Sequence, residues 1–149
     1  MGNVIGVVAE YNPFHNGHAR LIEQTRAQLG AVCPVVCVMS GDFVQRGSPA
    51  VYAKFARAEA AARCGADLVL ELPLPWALSS AEGFARGGVE IFTKLGIIDT
   101  LAFGCESGDG QAIFTAAQAM CAASYDRALR EILDTGASYP AARQRALEA

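Results

Sequence analysis

Short apolar runs alternate with longer amphipathic segments along the first hundred residues. Four runs rich in β-branched residues predict strands buried on both faces, as in a parallel sheet. They span residues 3–9, 34–40, 67–72 and 98–103. Three segments with apolar residues on one helical face predict the intervening helices, each ended by a glycine. They span residues 17–29, 52–64 and 80–95, the last with Ser79 or Ser80 as its cap.

From residue 109 onward the pattern is wholly helical, with helices predicted at 111–121, 125–134 and 139–149. The order predicts an α/β fold with an open parallel sheet: a nucleotide-binding core at 1–108 and a helical extension at 109–149. Ligands of such sheets bind beyond the carboxyl ends of the strands. We therefore expect the loops that start at Glu10, Ser40 and Gly104 to share one mouth. The last helix ends without Gly or Pro, so we expect a longer parent protein.

Composition narrows the class of protein. Hydrophobic residues make up 52% of the 149 residues and charged residues 18%, which favours a compact fold over disorder. No apolar run approaches the ~18 residues of a membrane span, and no signal peptide is evident. We therefore predict a soluble cytoplasmic protein with no membrane partner. The net charge of −3 provides no global attraction for nucleic acid, so an RNA partner would need a local patch or a further region.

The five cysteines are scattered, mostly in apolar segments, and their number is odd. They are Cys33, Cys37, Cys64, Cys105 and Cys121. This usage predicts buried, reduced thiols in a cytosolic core. The alternative, a metal site at Cys33 and Cys37, lacks a second ligand pair nearby, so no metal site is predicted.

The clearest candidate for chemistry is a pair of histidines where the first strand gives way to the first helix. His15 and His18 are three residues apart and are the only histidines in the chain. Amides at a helix amino terminus favour an anion, Gly17 permits close approach, and two imidazoles can donate hydrogen bonds to a phosphoryl group during its transfer. The alternative is that both are surface or capping residues.

Four motifs in matching order resemble the bacterial tRNA(Met) cytidine acetate ligase family, from about Val4 to Arg145. They are EYNPFHNGH at 10–18, MSGDFVQRG at 39–47, DLVLELP at 67–73 and FGCESG at 103–108. The HxGH pattern alone is shared by the whole nucleotidyltransferase superfamily. The resemblance implies a Rossmann-like fold of the HUP/nucleotidyltransferase type.

It also implies an enzyme that activates acetate with ATP to acetyl-adenylate and acetylates the N4 amine of the wobble cytidine in elongator tRNA(Met). Mg²⁺ is expected to accompany ATP. The implied catalytic residues are His15 and His18. The implied ATP-binding residues are Val8, Ala9, Glu10, Tyr11, Asn12, Pro13, Phe14, His15, Asn16, Gly17, His18, Ala19, Arg20, Leu21 and Gly104.

The chain departs from the family pattern in two respects. Family members are much longer, with further ATP-contacting arginines and a tRNA-binding region beyond residue 149, so we expect tRNA to bind mainly outside this chain. Cys105 stands where the family usually has Ser, a near-isosteric change that we expect to be mild.

Five further residues are candidates for the predicted mouth. Arg46 is expected to contact a phosphate or the RNA backbone, or else to be a solvated loop residue. Lys54 and Arg57 share a helix face and would contact phosphate or tRNA, or else form a solvated face. Glu71 and Glu106 follow strands and would bind a ribose hydroxyl or Mg²⁺, or else cap a helix or face solvent.

Two alternative functions remain open at this point. One is another adenylyltransferase, making a dinucleotide or a coenzyme precursor, which a screen of acceptors for pyrophosphate release would reveal. The other is a non-catalytic ATP-binding module, which would bind ATP and release no pyrophosphate with any acceptor.

Overall fold

A computed structural model describes residues 3–105 and 108–148. Within them, four strands form one parallel sheet in the order β3-β2-β1-β4. The strands are β1 (Ile5–Ala9), β2 (Val35–Ser40), β3 (Leu68–Leu72) and β4 (Thr100–Leu101). The predicted open parallel α/β sheet is therefore confirmed, with β1 and β2 in its centre.

Strand β4 is shorter than the predicted run 98–103. It lies at the edge of the sheet and pairs only with β1, through the register Ile5 to Thr100 and Gly6 to Leu101. One further backbone hydrogen bond joins Ala102 to Gly6 before the chain leaves the sheet. The apolar run 98–103 therefore overestimates the length of this strand.

Helices cover both faces of the sheet. They are α1 (Asn16–Leu29), α2 (Lys54–Arg63), α3 (Leu74–Ala77) and α4 (Ala81–Leu95). One core cluster joins α1 and α2 to alternate residues of β2, including Val35 and Cys37, while Val36 and Val38 belong to the cluster that α3 and α4 cover. This alternation follows from the two-residue repeat of a strand. The short α3, which starts beside Pro75, was not predicted.

Two glycines let α4 pack closely on the sheet. A Cβ at Gly88 would lie 2.5 Å from the side chain of Val8, and one at Gly87 would lie 2.5 Å from Trp76. The sequence shows these glycines only as weak points of a helix. The structure shows that they allow α4 to contact β1 and α3, and Ser80 caps the helix by accepting from the Gly83 amide.

The chain divides into two compact units, residues 1–104 and 105–149. The second contains α5 (Gly110–Met120), α6 (Ala123–Asp134) and α7 (Tyr139–Glu148), with Tyr125, Ala142 and Ala146 buried. Among the described residues, no helix combines the length and apolarity that crossing a bilayer requires.

The predicted burial of the cysteines is correct for two of them and wrong for two others. Cys33 and Cys37 are buried free thiols, whereas Cys64 and Cys121 are exposed free thiols; Cys105 is partly exposed. Cys64 and Cys121 occupy the carboxyl-terminal caps of α2 and α5. A cap residue closes the helix with its backbone, and here the side chain is left in solvent.

Candidate phosphate site at the start of helix α1

The two histidines form a reciprocal cap at the start of α1. His15 is the N-cap residue, with an extended backbone at φ −141° and ψ 173°. Its Nδ1 accepts a hydrogen bond from the Gly17 amide at 3.1 Å. The His15 amide in turn donates to Nδ1 of His18 at 3.2 Å. The two Nδ1 atoms thus accept the hydrogen bonds that the side chains of Ser and Glu accept in a common capping box.

This cap determines which ring nitrogen of each histidine is available. Because Nδ1 accepts in both rings, the neutral rings carry their proton on Nε2. In the part of the chain that the structure describes, neither Nε2 is engaged by a protein hydrogen bond. The rings stack with centroids 3.7 Å apart and an interplanar angle of 24°. The capping alternative and the donor hypothesis are therefore compatible, since they use different nitrogens.

Most of the amides in the first turn of α1 are already occupied. The His18 and Ala19 amides donate to the His15 carbonyl at 2.9 and 3.3 Å, and the Gly17 amide donates to His15 Nδ1. The two Nε2–H groups, which the capping hydrogen bonds leave unused, can donate to an anion at this helix end. The helix dipole still favours negative charge at this end.

Two aromatic rings pack against the ring of His18. The ring of Tyr11 lies edge-on at 4.8 Å from His18, and Phe14 lies 5.4 Å away. Tyr11 is only 1% exposed and its hydroxyl is 3.2 Å from the Cys37 sulfur. Burial, and next the neighbouring His15, lower the pKa of His18, and burial raises that of Tyr11. His18 is therefore held neutral, and the Tyr11 side chain belongs to the core, which leaves its backbone for any contact with ATP.

The loop after β1 is tied to the loop after β2 by side-chain hydrogen bonds. Glu10 Oε1 accepts from the Gln45 amide at 2.8 Å, and Asn12 Oδ1 accepts from the Val51 amide at 2.7 Å. Two residues of the predicted ATP segment thus position the next loop along the sheet edge. Sequence reasoning missed this role, because hydrogen bonds between residues 35 and 39 positions apart leave no periodic signal.

Arg57 was predicted to contact phosphate or tRNA, or else to lie on a solvated face, and the solvated-face alternative is wrong. The residue is 2% exposed. Its guanidinium donates to the carbonyl oxygens of Tyr52 at 2.9 Å, Glu10 at 2.7 Å and Ser40 at 3.1 Å, and also to that of Gly41. All of these acceptors are backbone oxygens in the loops around the site. Arg57 therefore holds the two loops together, and four of its five N–H groups are engaged in these bonds.

Lys54 and Glu71 form an ion pair with each other. The Lys54 ammonium lies 2.8 Å from Glu71 Oε2 and 3.8 Å from Asp42 Oδ2. Its hydrogen bond with Glu71 is the main cause of a raised pKa of Lys54. Glu71 is thus engaged by a lysine, which argues against the alternative that it binds ribose or Mg²⁺. The other acidic candidate, Glu106, lies outside the described residues.

Arg46 and Gly104 remain candidates for ligand contact. Arg46 is exposed and adopts φ 67° within the 3₁₀ turn Gln45–Gly47. Gly104 lies in the loop after β4, and a Cβ there would meet no atom within 4 Å. Since β4 is the neighbour of β1 opposite to β2, the loops after β1 and β4 flank the point where the strand order reverses. This is the place at which open α/β sheets bind ligands.

Comparisons with known proteins match the chain over almost its whole length. A family model described as HIGH Nucleotidyl Transferase matches residues 2–149. The tRNA(Met) cytidine acetate ligases of Acetivibrio thermocellus and Clostridium acetobutylicum are 50% and 43% identical over 97% and 98% of this chain, and over 35% and 37% of their own lengths. The crystal structure of Thermotoga maritima TmcAL bound with alpha-thio ATP superposes with a TM-score of 0.85 at 44% identity, covering 97% of this chain and 35% of that one. The chain thus spans about a third of the length of these relatives.

Proposed function

The chain belongs to the HIGH nucleotidyl transferase family, and from this we propose that it provides the ATP-binding, adenylate-forming site of an acetate ligase that acts on tRNA. The observation that carries the proposal is the pair of stacked imidazoles at the amino end of α1, each with its Nε2–H directed away from the capping hydrogen bonds. Relatives at 43–50% identity are named tRNA(Met) cytidine acetate ligases, and TmcAL was crystallised with an ATP analogue.

In the first step, an acetate oxygen attacks the α-phosphorus of ATP, and the bond to the bridging oxygen breaks. Pyrophosphate leaves with that electron pair, and acetyl-adenylate remains. His15 and His18 donate through Nε2–H to the phosphate oxygens on which negative charge increases. The lowered pKa of His18 keeps this ring neutral near pH 7, with its Nε2 proton in place for donation. No protein nucleophile is required.

In the second step, the N4 amine of the acceptor cytidine attacks the acetyl carbonyl carbon. The carbon–oxygen bond to the phosphate breaks, AMP leaves with that electron pair, and N4 loses a proton. We propose the wobble cytidine of elongator tRNA(Met) as the acceptor, since the relatives' names specify tRNA(Met) and cytidine. This chain spans about a third of the relatives' length, and the remaining part of such a protein would supply further contacts with the tRNA.

Mg²⁺ would be held by the polyphosphate of ATP, whose charge it neutralises. The described residues contain no group of three or more His, Cys, Asp or Glu that could hold a metal ion. The nearby carboxylates are committed elsewhere: Glu10 accepts from Gln45, and Glu71 and Asp42 face Lys54. The engagement of these carboxylates by other groups is compatible with a metal ion that is bound by the nucleotide and enters the site with it.

The test uses His15→Asn, His18→Asn and the double variant in the full-length protein. Asn is a strong N-cap residue, and its side-chain oxygen takes a position similar to that of Nδ1, so the cap is kept while Nε2–H is removed. We expect acetate-dependent pyrophosphate release to fall by roughly 10²–10³ for each single variant. The affinity for ATP should fall much less, because the donors act mainly on charge that develops during transfer.

Three results would contradict the proposal. Near-normal turnover by the double variant would show that the two histidines only cap the helix. ATP binding without pyrophosphate release, in a screen of carboxylic acids and phosphorylated acceptors, would indicate a non-catalytic module. Pyrophosphate release with an acceptor other than acetate would instead identify another adenylyltransferase.

A further inference from the structure

The segment 42–55, which follows β2 and includes the first two residues of α2, presents aromatic side chains to solvent beside the phosphate site. Phe43, Tyr52 and Phe55 are 45%, 59% and 79% exposed. Only three further aromatic residues among those described are comparably exposed, at positions 103, 114 and 139. Half of the exposed aromatic residues thus fall within 13 consecutive positions. Val51 is the one large aliphatic residue exposed in the same segment.

The segment is also locally basic in an acidic chain. It carries Arg46 and Lys54 against a single acid, Asp42, whereas the whole chain has a net charge of −3. Lys54 is paired with Glu71 and Asp42. Within the described ranges, the Arg46 guanidinium makes no hydrogen bond or ion pair, and the residue is exposed. Arg46 is therefore the cation of this surface that is available to an external anion.

The backbone of the loop holds Arg46 in an unfavourable conformation. A φ of 67° is in the left-handed region, which costs a non-glycine residue on the order of 1 kcal/mol. The Val44 amide donates to the Ser48 carbonyl at 3.0 Å and the Gly47 amide to the Val44 carbonyl at 3.1 Å, which closes the turn around Arg46. Strain at an unpaired, exposed cation is typical of a residue kept for binding.

The loop is fixed in position relative to the histidines. Glu10 and Asn12, on the loop that leads to His15, accept from the Gln45 and Val51 amides. Arg57 binds carbonyl oxygens on both loops. The segment 42–55 therefore forms a rigid neighbour of the phosphate site on the same edge of the sheet.

We propose that this surface, residues 42–55, binds single-stranded RNA. Bases stack on the exposed aromatic rings, and Arg46 contacts a backbone phosphate, the combination by which proteins bind unpaired nucleotides. The exposed aromatic rings share this surface with an unpaired cation and with only one large exposed aliphatic residue, Val51, which favours RNA over the apolar face of a protein partner. The inference rests on the proposed function, in which this surface holds loop nucleotides next to the acceptor cytidine.

The test measures binding of a fluorescently labelled RNA hairpin to the chain by anisotropy, over a series of salt concentrations. Phe55→Ala and Tyr52→Ala are each expected to weaken binding by about 5- to 100-fold, the range for losing one stacked base. Arg46→Gly, which relieves the positive φ, is expected to weaken binding and to reduce the salt dependence by about one phosphate contact. Matched controls are Phe114→Ala, Tyr139→Ala and Arg63→Ala, which alter exposed residues elsewhere and should stay within about 2-fold of the parent.

Binding of a fluorescent ATP analogue is measured on the same samples and separates the two proposals. The proposed RNA surface would be overturned if the segment variants bound the hairpin with wild-type affinity, or if the parent chain did not bind it. If ATP binding persisted in either case, the proposed function would still stand. Loss of ATP binding and of pyrophosphate release in the parent would overturn the proposed function. A protein partner whose binding depends on these aromatic residues, with RNA binding unchanged, would also overturn the RNA surface.

Discussion

Replacing Arg57 by Ala should cost the first unit a large part of its stability. The change removes a buried guanidinium that donates to four backbone carbonyl oxygens. Hydrogen bonds to a charged group are each worth about 1.5–3 kcal/mol, and the charge no longer has to be desolvated, so we expect a net loss of about 3–5 kcal/mol. That is a large fraction of the roughly 5–15 kcal/mol by which domains are stable.

Urea unfolding followed by Trp76 fluorescence measures this loss. Trp76 is the only tryptophan in the chain and packs in the core of the same unit. With a slope of about 2 kcal/mol per molar urea, the midpoint should fall by about 2 M. Arg57→Lys should fall between Ala and the parent, because one ammonium nitrogen cannot reach carbonyls that a guanidinium spans with three nitrogens.

The control is Arg63→Ala, on the same helix. Arg63 is exposed and pairs with Glu59 one turn away, so its loss should change the stability by less than about 0.5 kcal/mol. If Arg57→Ala shifted the midpoint no more than Arg63→Ala does, Arg57 would not hold the two loops together, and its burial would have another cause.

Two further predictions concern single residues. His18 should titrate below 6.5 by NMR, so its contribution to stability is complete above pH 6.5 and is lost as the pH falls through the lowered pKa; a midpoint above 6.5 would contradict the capping geometry. Gly88→Ala should destabilise by about 1–3 kcal/mol in urea unfolding, because a Cβ would lie 2.5 Å from the Val8 side chain; an unchanged midpoint would show that α4 can move away from the sheet.

The sequence predicted the sheet and the main helices, and singled out the two histidines, for a common physical reason. A strand that is buried on both faces appears as an apolar run, such as Val35–Ser40. A helix that packs on one side has apolar residues every three or four positions. The two histidines were recognisable because they lie within three positions at the end of a strand. Each of these signals is local in the chain.

The features that the sequence did not reveal depend on contacts between distant positions. Arg57 donates to a carbonyl 47 positions away, and Lys54 pairs with a glutamate 17 positions away. Before folding, a buried arginine and a solvated one on the same helix have the same local pattern. For this reason the sequence predicted Arg57 as a contact for phosphate or tRNA and did not reveal that it joins the two loops. The two histidines, which Arg57 positions indirectly, were identified.

The Arg57 contacts have a consequence for how this site can change over time. Every acceptor of its guanidinium is a main-chain oxygen, an atom that every amino acid possesses. Substitutions at positions 43, 46 or 52 therefore leave these particular bonds intact, provided that the backbone keeps its path. The loop is a scaffold on which side chains can be exchanged without renewed selection for folding.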